Sequence, residues 1–218
     1  MKQGMTELVF ILDRSGSMSG LESDTIGGFN GLLKKQKQES GECIVTTVLF
    51  DDKYELLHDR IALPLVDNIS SKEYFVRGST ALLDAIGRTL DKTRNAQQNT
   101  REEGRAEKVL FVIVTDGMEN ASREYRIDRI KEMIERQTKE FGWEFLFLGA
   151  NMDAISVAAG FGIAPDRAVT YRADAAGTKL NYDVVSDTVA CLRAGAPVSA
   201  NWKKRIEKDV KEREKKPQ

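Results

Sequence analysis

Short unbroken apolar runs alternate along this chain with longer stretches in which apolar residues recur every three or four positions. Leu8-Val9-Phe10-Ile11-Leu12 is apolar without interruption, the pattern of a strand covered on both faces. From Gly20 to Lys37, Ile26, Phe29, Leu32 and Leu33 fall at helical spacing. Cys43 to Phe50 is rich in β-branched residues, and Asp51-Asp52-Lys53 makes a tight polar turn into Tyr54 to Arg60. These two runs read as a hairpin whose second strand is polar enough for a sheet edge. Leu63 to Thr80 is irregular, with Pro64, Ser70-Ser71 and Gly78. Leu82, Ile86, Leu90 and Thr93 mark a helix, and Gln97 to Arg105 reads as a polar loop. Val109 to Thr115 is the second fully apolar strand; Ile127, Ile130, Met133 and Ile134 mark the next helix, and Trp143 to Leu148 another strand. A short helix at Ala154 to Ala159, a strand at Ala168 to Tyr171 and a last helix through Leu180, Val184, Val185, Val189 and Leu192 complete the alternation.

Repeated β-α units of this kind predict a mostly parallel sheet between two layers of helices. The 218 residues are 41% hydrophobic, enough for a sizeable core and too much for a disordered chain. Thirty-three basic against 34 acidic residues leave a net charge of −1, so no global field draws the protein to nucleic acid or an acidic membrane. The first apolar run is too short for a signal peptide or a membrane span, which makes a soluble cytoplasmic protein the expectation. Cys43 and Cys191 sit in apolar, periodic surroundings and read as buried thiols in a reducing compartment. The single histidine, His58, removes most of zinc chemistry and reads as a solvated residue of the edge strand. Residues 1–194 are expected to form one domain and residues 195–218 a linker with a charged tail. Lys203 to Lys216 carries eight basic and four acidic residues. Trp202, Ile206 and Val210 recur every four positions, so the tail reads as a short amphipathic helix, docked or frayed.

Candidate chemistry stands at the carboxyl ends of the two most apolar strands. One ends in Asp13-Arg14-Ser15-Gly16-Ser17-Met18 and the other in Thr115-Asp116-Gly117. Ligands of open α/β sheets gather outside these strand ends, where the strand order reverses. Two carboxylates with two hydroxyls beside one of them, and a third hydroxyl, Thr80, heading a helix, make a cluster of hard oxygens. Such donors suit Mg²⁺, Mn²⁺ or Ca²⁺, and the lack of nearby Cys or His argues against zinc and copper. Taken singly, Asp13, Ser15, Ser17 or Asp116 could equally be a helix cap or a turn former.

Asp13-x-Ser15-x-Ser17, then Gly78-Ser79-Thr80, then Thr115-Asp116-Gly117 resembles, in order, spacing and strand context, the metal-ion-dependent adhesion site of the von Willebrand factor type A family. The resemblance covers roughly Thr6 to Arg193, as a stand-alone bacterial or phage member. It implies a Rossmann-like, doubly wound three-layer α/β fold with sheet order 3-2-1-4-5-6 and one short antiparallel edge strand. It also implies that Ser15, Ser17 and Thr80 ligate the metal directly, with Asp13 and Asp116 acting through water or hydrogen bonds. The cation then keeps a free position for an Asp or Glu of another protein. Arg14 departs from the small or neutral residue expected within the motif. Pointing at the ion it would weaken metal affinity; pointing outward with Arg77 it would form a basic rim that helps capture an acidic partner; or both arginines are simply solvated. Glu119 is the third residue assigned to the partner-binding rim.

The function this implies is a non-enzymatic, metal-dependent protein-interaction module, with Mg²⁺ as the expected cofactor and Mn²⁺ or Ca²⁺ as alternatives. The partner is a protein supplying an acidic residue; no small-molecule substrate and no membrane are expected, and nucleic acid is disfavoured. One alternative is an Mg²⁺-dependent phosphohydrolase, which needs a second Asp where Ser15 stands; Glu22 and Glu119 are the acids that could lie near the site. Another is a nucleic-acid accessory factor acting through the basic tail, whose charge Glu207, Asp209, Glu212 and Glu214 halve.

Overall fold

The computed structural model describes residues 1–215; the last three residues of the charged tail lie outside the described residues. Six strands form one sheet: β1 (Lys2–Asp13), β2 (Cys43–Phe50), β3 (Tyr54–Ala62), β4 (Ala106–Thr115), β5 (Glu144–Ala150) and β6 (Ala168–Tyr171). Their order is β3-β2-β1-β4-β5-β6, as expected, with β3 antiparallel to β2 and every other neighbouring pair parallel.

The unbroken apolar runs have a direct structural cause. Leu8, Phe10 and Leu12 of β1, with Leu110, Val112 and Val114 of β4, enter one core. Val9 and Ile11, with Phe111 and Ile113, enter the other. Side chains alternate across a strand, so a strand packed on both faces can spare no position for polarity. The first core is covered by α1 (Glu22–Gln36) and α5 (Ala175–Arg193), the second by α2 (Leu82–Asn99), α3 (Ile127–Phe141) and α4 (Ala154–Gly160).

Element ends differ from the sequence reading where a distant residue decides them. Strand β1 reaches back to Lys2, which pairs with Ala106 across an irregularity at Gly4 (φ +76). Helix α2 continues through Gln97 to Asn99, read as loop, because Gln97 Nε2 donates to the buried Glu7 carboxylate. His58 is buried rather than solvated: Asp67, Glu73 and Lys37 stand near it, and burial lowers its pKa below the usual 6.5. Cys43 is buried as expected, but Cys191 is exposed, because it lies off the inward stripe of Val185, Val189 and Leu192 on α5.

Residues 195–203 run without regular structure to α6 (Lys204–Glu214), and the segment packs onto the sheet. Val198, Trp202 and Ile206 belong to the first core. Trp202 Nε1 donates to the Asp166 carbonyl at 2.7 Å, and Lys203 Nζ to the carbonyls of Pro165 (2.7 Å) and Ala168 (2.8 Å). Arg213 reaches Asp174, the N-cap of α5, at 2.7 Å. No helix among the described residues is long and apolar enough to cross a membrane.

Candidate metal centre

Strands β1 and β4 lie side by side at the centre of the sheet, and the chain runs from β1 to β2 on one side but returns through β4 on the other. That reversal opens a crevice beyond their carboxyl ends, where Asp13 and Asp116 stand. After Asp13 the chain turns sharply, with the Ser15 amide donating to Asp13 Oδ1 at 2.7 Å. Gly16–Met18 then forms one short helical turn, anchored by the buried Met18. This turn leaves Ser15 buried and Ser17 exposed.

Thr80 arrives from the loop before α2. Its amide donates to Asn120 Oδ1 at 2.9 Å, and its carbonyl accepts from the amides of Asn120 (3.0 Å) and Ala121 (3.2 Å). The loop after β4 therefore clamps it in place.

The five oxygen-bearing side chains converge. Thr80 Oγ1 lies 2.9 Å from Ser15 Oγ, Ser15 Oγ lies 3.1 Å from Ser17 Oγ, and Ser17 Oγ donates to Asp116 Oδ1 at 2.6 Å. Asp13 is fixed beneath them, its Oδ2 accepting from Thr115 Oγ1 at 2.5 Å. Burial pushes the Asp13 carboxyl up to about 6, against the hydrogen bonds from Thr115 and Ser15 that hold it down; the nearby Asp116 adds to the rise. Burial also raises Asp116, against its bond from Ser17. Among the described residues no ion pair engages either carboxylate, whose hydrogen-bond donors are hydroxyls and a backbone amide. A buried and a half-buried acid without an ion-pair partner are the electrostatic condition a cation relieves.

The donor set fits a hard divalent ion. Among the described residues no three His, Cys, Asp or Glu side chains group as a metal site. The converging oxygens are instead mostly hydroxyls, which suit Mg²⁺, Mn²⁺ or Ca²⁺ better than zinc. Neighbouring ligands of an octahedral ion with Mg–O distances of 2.0–2.1 Å stand about 2.9 Å apart, a spacing that hydrogen-bonded hydroxyls share. Space above them exists because residue 117 is glycine. A Cβ there would come within 2.6 Å of Thr80 Oγ1 and 3.0 Å of Ser17 Oγ.

The three rim residues read from the sequence do not form a rim. Arg14 neither points at the hydroxyls nor faces solvent: its side chain is 0% exposed and bound to Asp51. Arg77 is 37% exposed, and its Nε is held by Asp51 Oδ2 at 2.7 Å. Glu119 serves its own loop, accepting from the Leu83 amide at the start of α2 and from the amides of Ala121 and Ser122 and the Ser122 hydroxyl. Glu22 accepts from the Gly20 amide at 2.7 Å.

Several residues that shape the centre were not singled out from the sequence. Thr115 and Gly117 flank Asp116 and were visible there as a triplet. Asn120 carried no local signal of this role. Tyr74, whose hydroxyl donates to the Asp13 carbonyl at 2.5 Å, and Asp51 gave no local signal, since both act across more than thirty residues.

No protein-family model and no curated protein matches the chain. Solved structures do. Proximal thread matrix protein 1 from the mussel byssus, solved with a zinc-occupied MIDAS motif, superposes with a TM-score of 0.57 at 15% identity, covering 86% of this chain and 46% of its own. A von Willebrand factor type A protein from Catenulispora acidiphila gives 0.61 at 12% identity, covering 85% of this chain and 42% of its own. The manganese-loaded TRAP protein of Plasmodium vivax gives 0.55 at 17% identity, covering 83% and 73%. The chain spans about half the length of the mussel protein. These likenesses show the fold: a von Willebrand factor type A-like α/β sandwich.

Proposed function

We propose that this chain is a metal-dependent protein-interaction module of the von Willebrand factor A type, in which Ser15, Ser17 and Thr80 hold a divalent cation, Mg²⁺ before Mn²⁺ or Ca²⁺. The observation that carries the reading is the convergence of these three hydroxyls over two uncompensated carboxylates, with Gly117 keeping the space above them clear. Residues 1–194 carry the module, and 195–218 extend it.

The chain's own residues divide the work. The Ser17 hydroxyl spends its proton on Asp116, which turns its lone pairs toward the opening. Asp13 takes the Ser15 amide and the Thr115 hydroxyl, and so sets the turn that presents Ser15. With both carboxylates holding hydrogen bonds behind the hydroxyls, the direct ligand set is three neutral oxygens, which leaves a hard cation a position for a further, charged ligand. A cation held so supplies an electropositive centre that attracts a carboxylate of a partner protein.

The enzymatic alternative finds no comparable support. A hydrolytic centre needs a base within reach of its water, and Glu119 spends its carboxylate oxygens on the Leu83 amide of α2 and on the amides of its own loop. Ser15 stands where a phosphohydrolase of the expected type would carry its second aspartate.

The test is capture of partners from native lysate with Mg²⁺ or with chelator, comparing the wild type with Asp13→Ala and Ser15→Ala. We expect a set of bound proteins that depends on the metal and disappears in both variants. Identical sets under all conditions would overturn the reading, and phosphatase turnover lost in Asp13→Ala would replace it with the enzymatic one.

A further inference from the structure

We propose that Arg14 is a positioning residue: it ties the loop that carries Thr80 to the loop that carries Ser15 and Ser17, so that the three hydroxyls stand assembled before a cation arrives. This deepens the cation-binding reading above and rests on it.

Arg14 lies between Asp13 and Ser15, where a small side chain would serve the turn. Its guanidinium instead runs away from the hydroxyls into a fully buried position. There Nε donates to Asp51 Oδ2 at 3.0 Å, Nη2 to Glu55 Oε2 at 2.6 Å and Nη1 to the Glu73 carbonyl at 3.1 Å. These partners belong to the β2–β3 turn, to β3 and to the irregular stretch before Thr80. A single side chain thereby holds three separate segments.

The bonds around it carry that hold on to Thr80. The Arg14 carbonyl accepts from the Arg77 amide at 2.9 Å, and the Gly16 amide donates to the Gly78 carbonyl at 3.1 Å. Arg77 Nε shares Asp51 Oδ2 with Arg14, and the Asp51 carbonyl accepts from the Ala81 amide at 2.9 Å. The Phe75 ring is stacked by both guanidiniums, 5.3 Å from Arg14 Cζ and 5.1 Å from Arg77 Cζ. Thr80 is thus bracketed by Gly78, bound to Gly16 of the Ser15–Ser17 turn, and by Ala81, bound to Asp51, while Asn120 holds its other side.

A buried ion pair of this kind adds little net stability, because desolvation offsets the attraction. What it does give is a single geometry, since a planar fork with three acceptors leaves no freedom to slide. Hydroxyl ligands need that help. They attract a cation weakly on their own, so the cost of gathering them has to be met by the fold.

The test is calorimetric titration of the full chain with Mg²⁺ and separately with Mn²⁺, beside melting curves without metal. The variants are Arg14→Ala, Arg14→Lys, Glu55→Gln, Ser15→Ala and Arg193→Ala, the last removing a buried arginine far from the centre. We expect Arg14→Ala to lower cation affinity about ten- to a hundredfold, the range for losing a residue that orients metal ligands. Lysine keeps the charge but not the fork, so Arg14→Lys should fall between wild type and alanine, and Glu55→Gln should weaken binding less. Arg193→Ala should lower the melting point and leave affinity unchanged, which separates positioning from general destabilisation.

Should Arg14→Ala fail to fold, Arg14→Lys and Glu55→Gln decide. Wild-type affinity in both would overturn the proposal while the cation reading stands, provided Ser15→Ala loses binding. No saturable binding by the wild type itself would overturn the cation reading, and this proposal with it.

Discussion

At the scale of single residues, the centre depends on what is absent at position 117 as much as on the five oxygen-bearing side chains. Gly117 lies outside the left-handed region, so Gly117→Ala imposes no backbone strain. Its methyl group would nevertheless enter the space that Thr80 Oγ1 and Ser17 Oγ face. We expect Gly117→Ala to weaken Mg²⁺ or Mn²⁺ binding about tenfold or more, or about 1.4 kcal/mol, and to lower the melting point without metal as well, because the methyl group forces Thr80 to shift. Calorimetric titration beside a melting curve checks both halves. Asp13, Ser15, Ser17, Thr80 and Asp116 were legible in the sequence because each sits at a strand end or a helix start, where local spacing fixes position. Arg14 was misread because its partner Asp51 lies 37 residues away, whereas Glu119 mostly serves groups two and three residues on, with the Leu83 amide 36 residues away as its one distant partner.

His58 is a second residue whose environment the sequence concealed. It is the only histidine, so its titration can be followed without ambiguity. Burial lowers its pKa from 6.5, and its Nδ1 has no hydrogen-bond partner. The folded state therefore holds the neutral ring while the unfolded chain takes up a proton near pH 6.5. Stability from this group is present above that pH and declines as the pH falls through the window below it. The imidazole resonances should titrate with a midpoint below 6.5. Replacing His58 by Phe should reduce the stability lost between pH 7 and pH 5.5, measured by urea unfolding. A midpoint at or above 6.5 would contradict the buried environment.

At the scale of elements, the strand cores could be read because apolar side chains on two faces leave an unbroken run, whereas element ends could not. The junction of α1 and α5 is an example. Helix α1 stops near Gln36 with unpaired carbonyls, as any helix does. They are satisfied from α5: Arg193 donates to the Gln36 carbonyl at 2.6 Å, to Gln36 Oε1 at 3.1 Å and to the carbonyls of Glu39, Ser40 and Gly41. Nothing near Arg193 in sequence marks it as a cap, since the helix it closes lies more than 150 residues earlier. Arg193→Ala removes the donor shared by the buried Gln36 and the exposed Glu39, Ser40 and Gly41 and should cost about 1–3 kcal/mol in urea unfolding. The exposed Cys191 two positions earlier belongs to the same end of α5 but faces away from this junction.

At the scale of the whole molecule, the C-terminal segment changes what counts as the folded unit. Its composition marks it as a charged extension, and the four-residue recurrence of Trp202 and Ile206 hints that one face is apolar. What no local pattern reveals is the surface that face covers. Strand β6 is the last in the sheet, and an uncovered edge strand invites pairing with another chain. Here Lys203 occupies the carbonyls of Pro165 and Ala168, and Trp202 that of Asp166, while both Trp202 and Ile206 enter the core beside α5. The segment thus packs beside β6, held by burial on one side and on the other by donors to the Ala168 carbonyl of the strand and to the Pro165 and Asp166 carbonyls of the turn before it. Trp202→Ala removes the largest contact and should cost about 3–5 kcal/mol. Ending the chain at Ala194 should lower stability further and expose the β6 edge, giving self-association that rises with protein concentration in light scattering. An unfolding midpoint unchanged by that truncation, with a monomer at all concentrations, would mean that the segment only rests against the sheet and that residues 1–194 are complete without it.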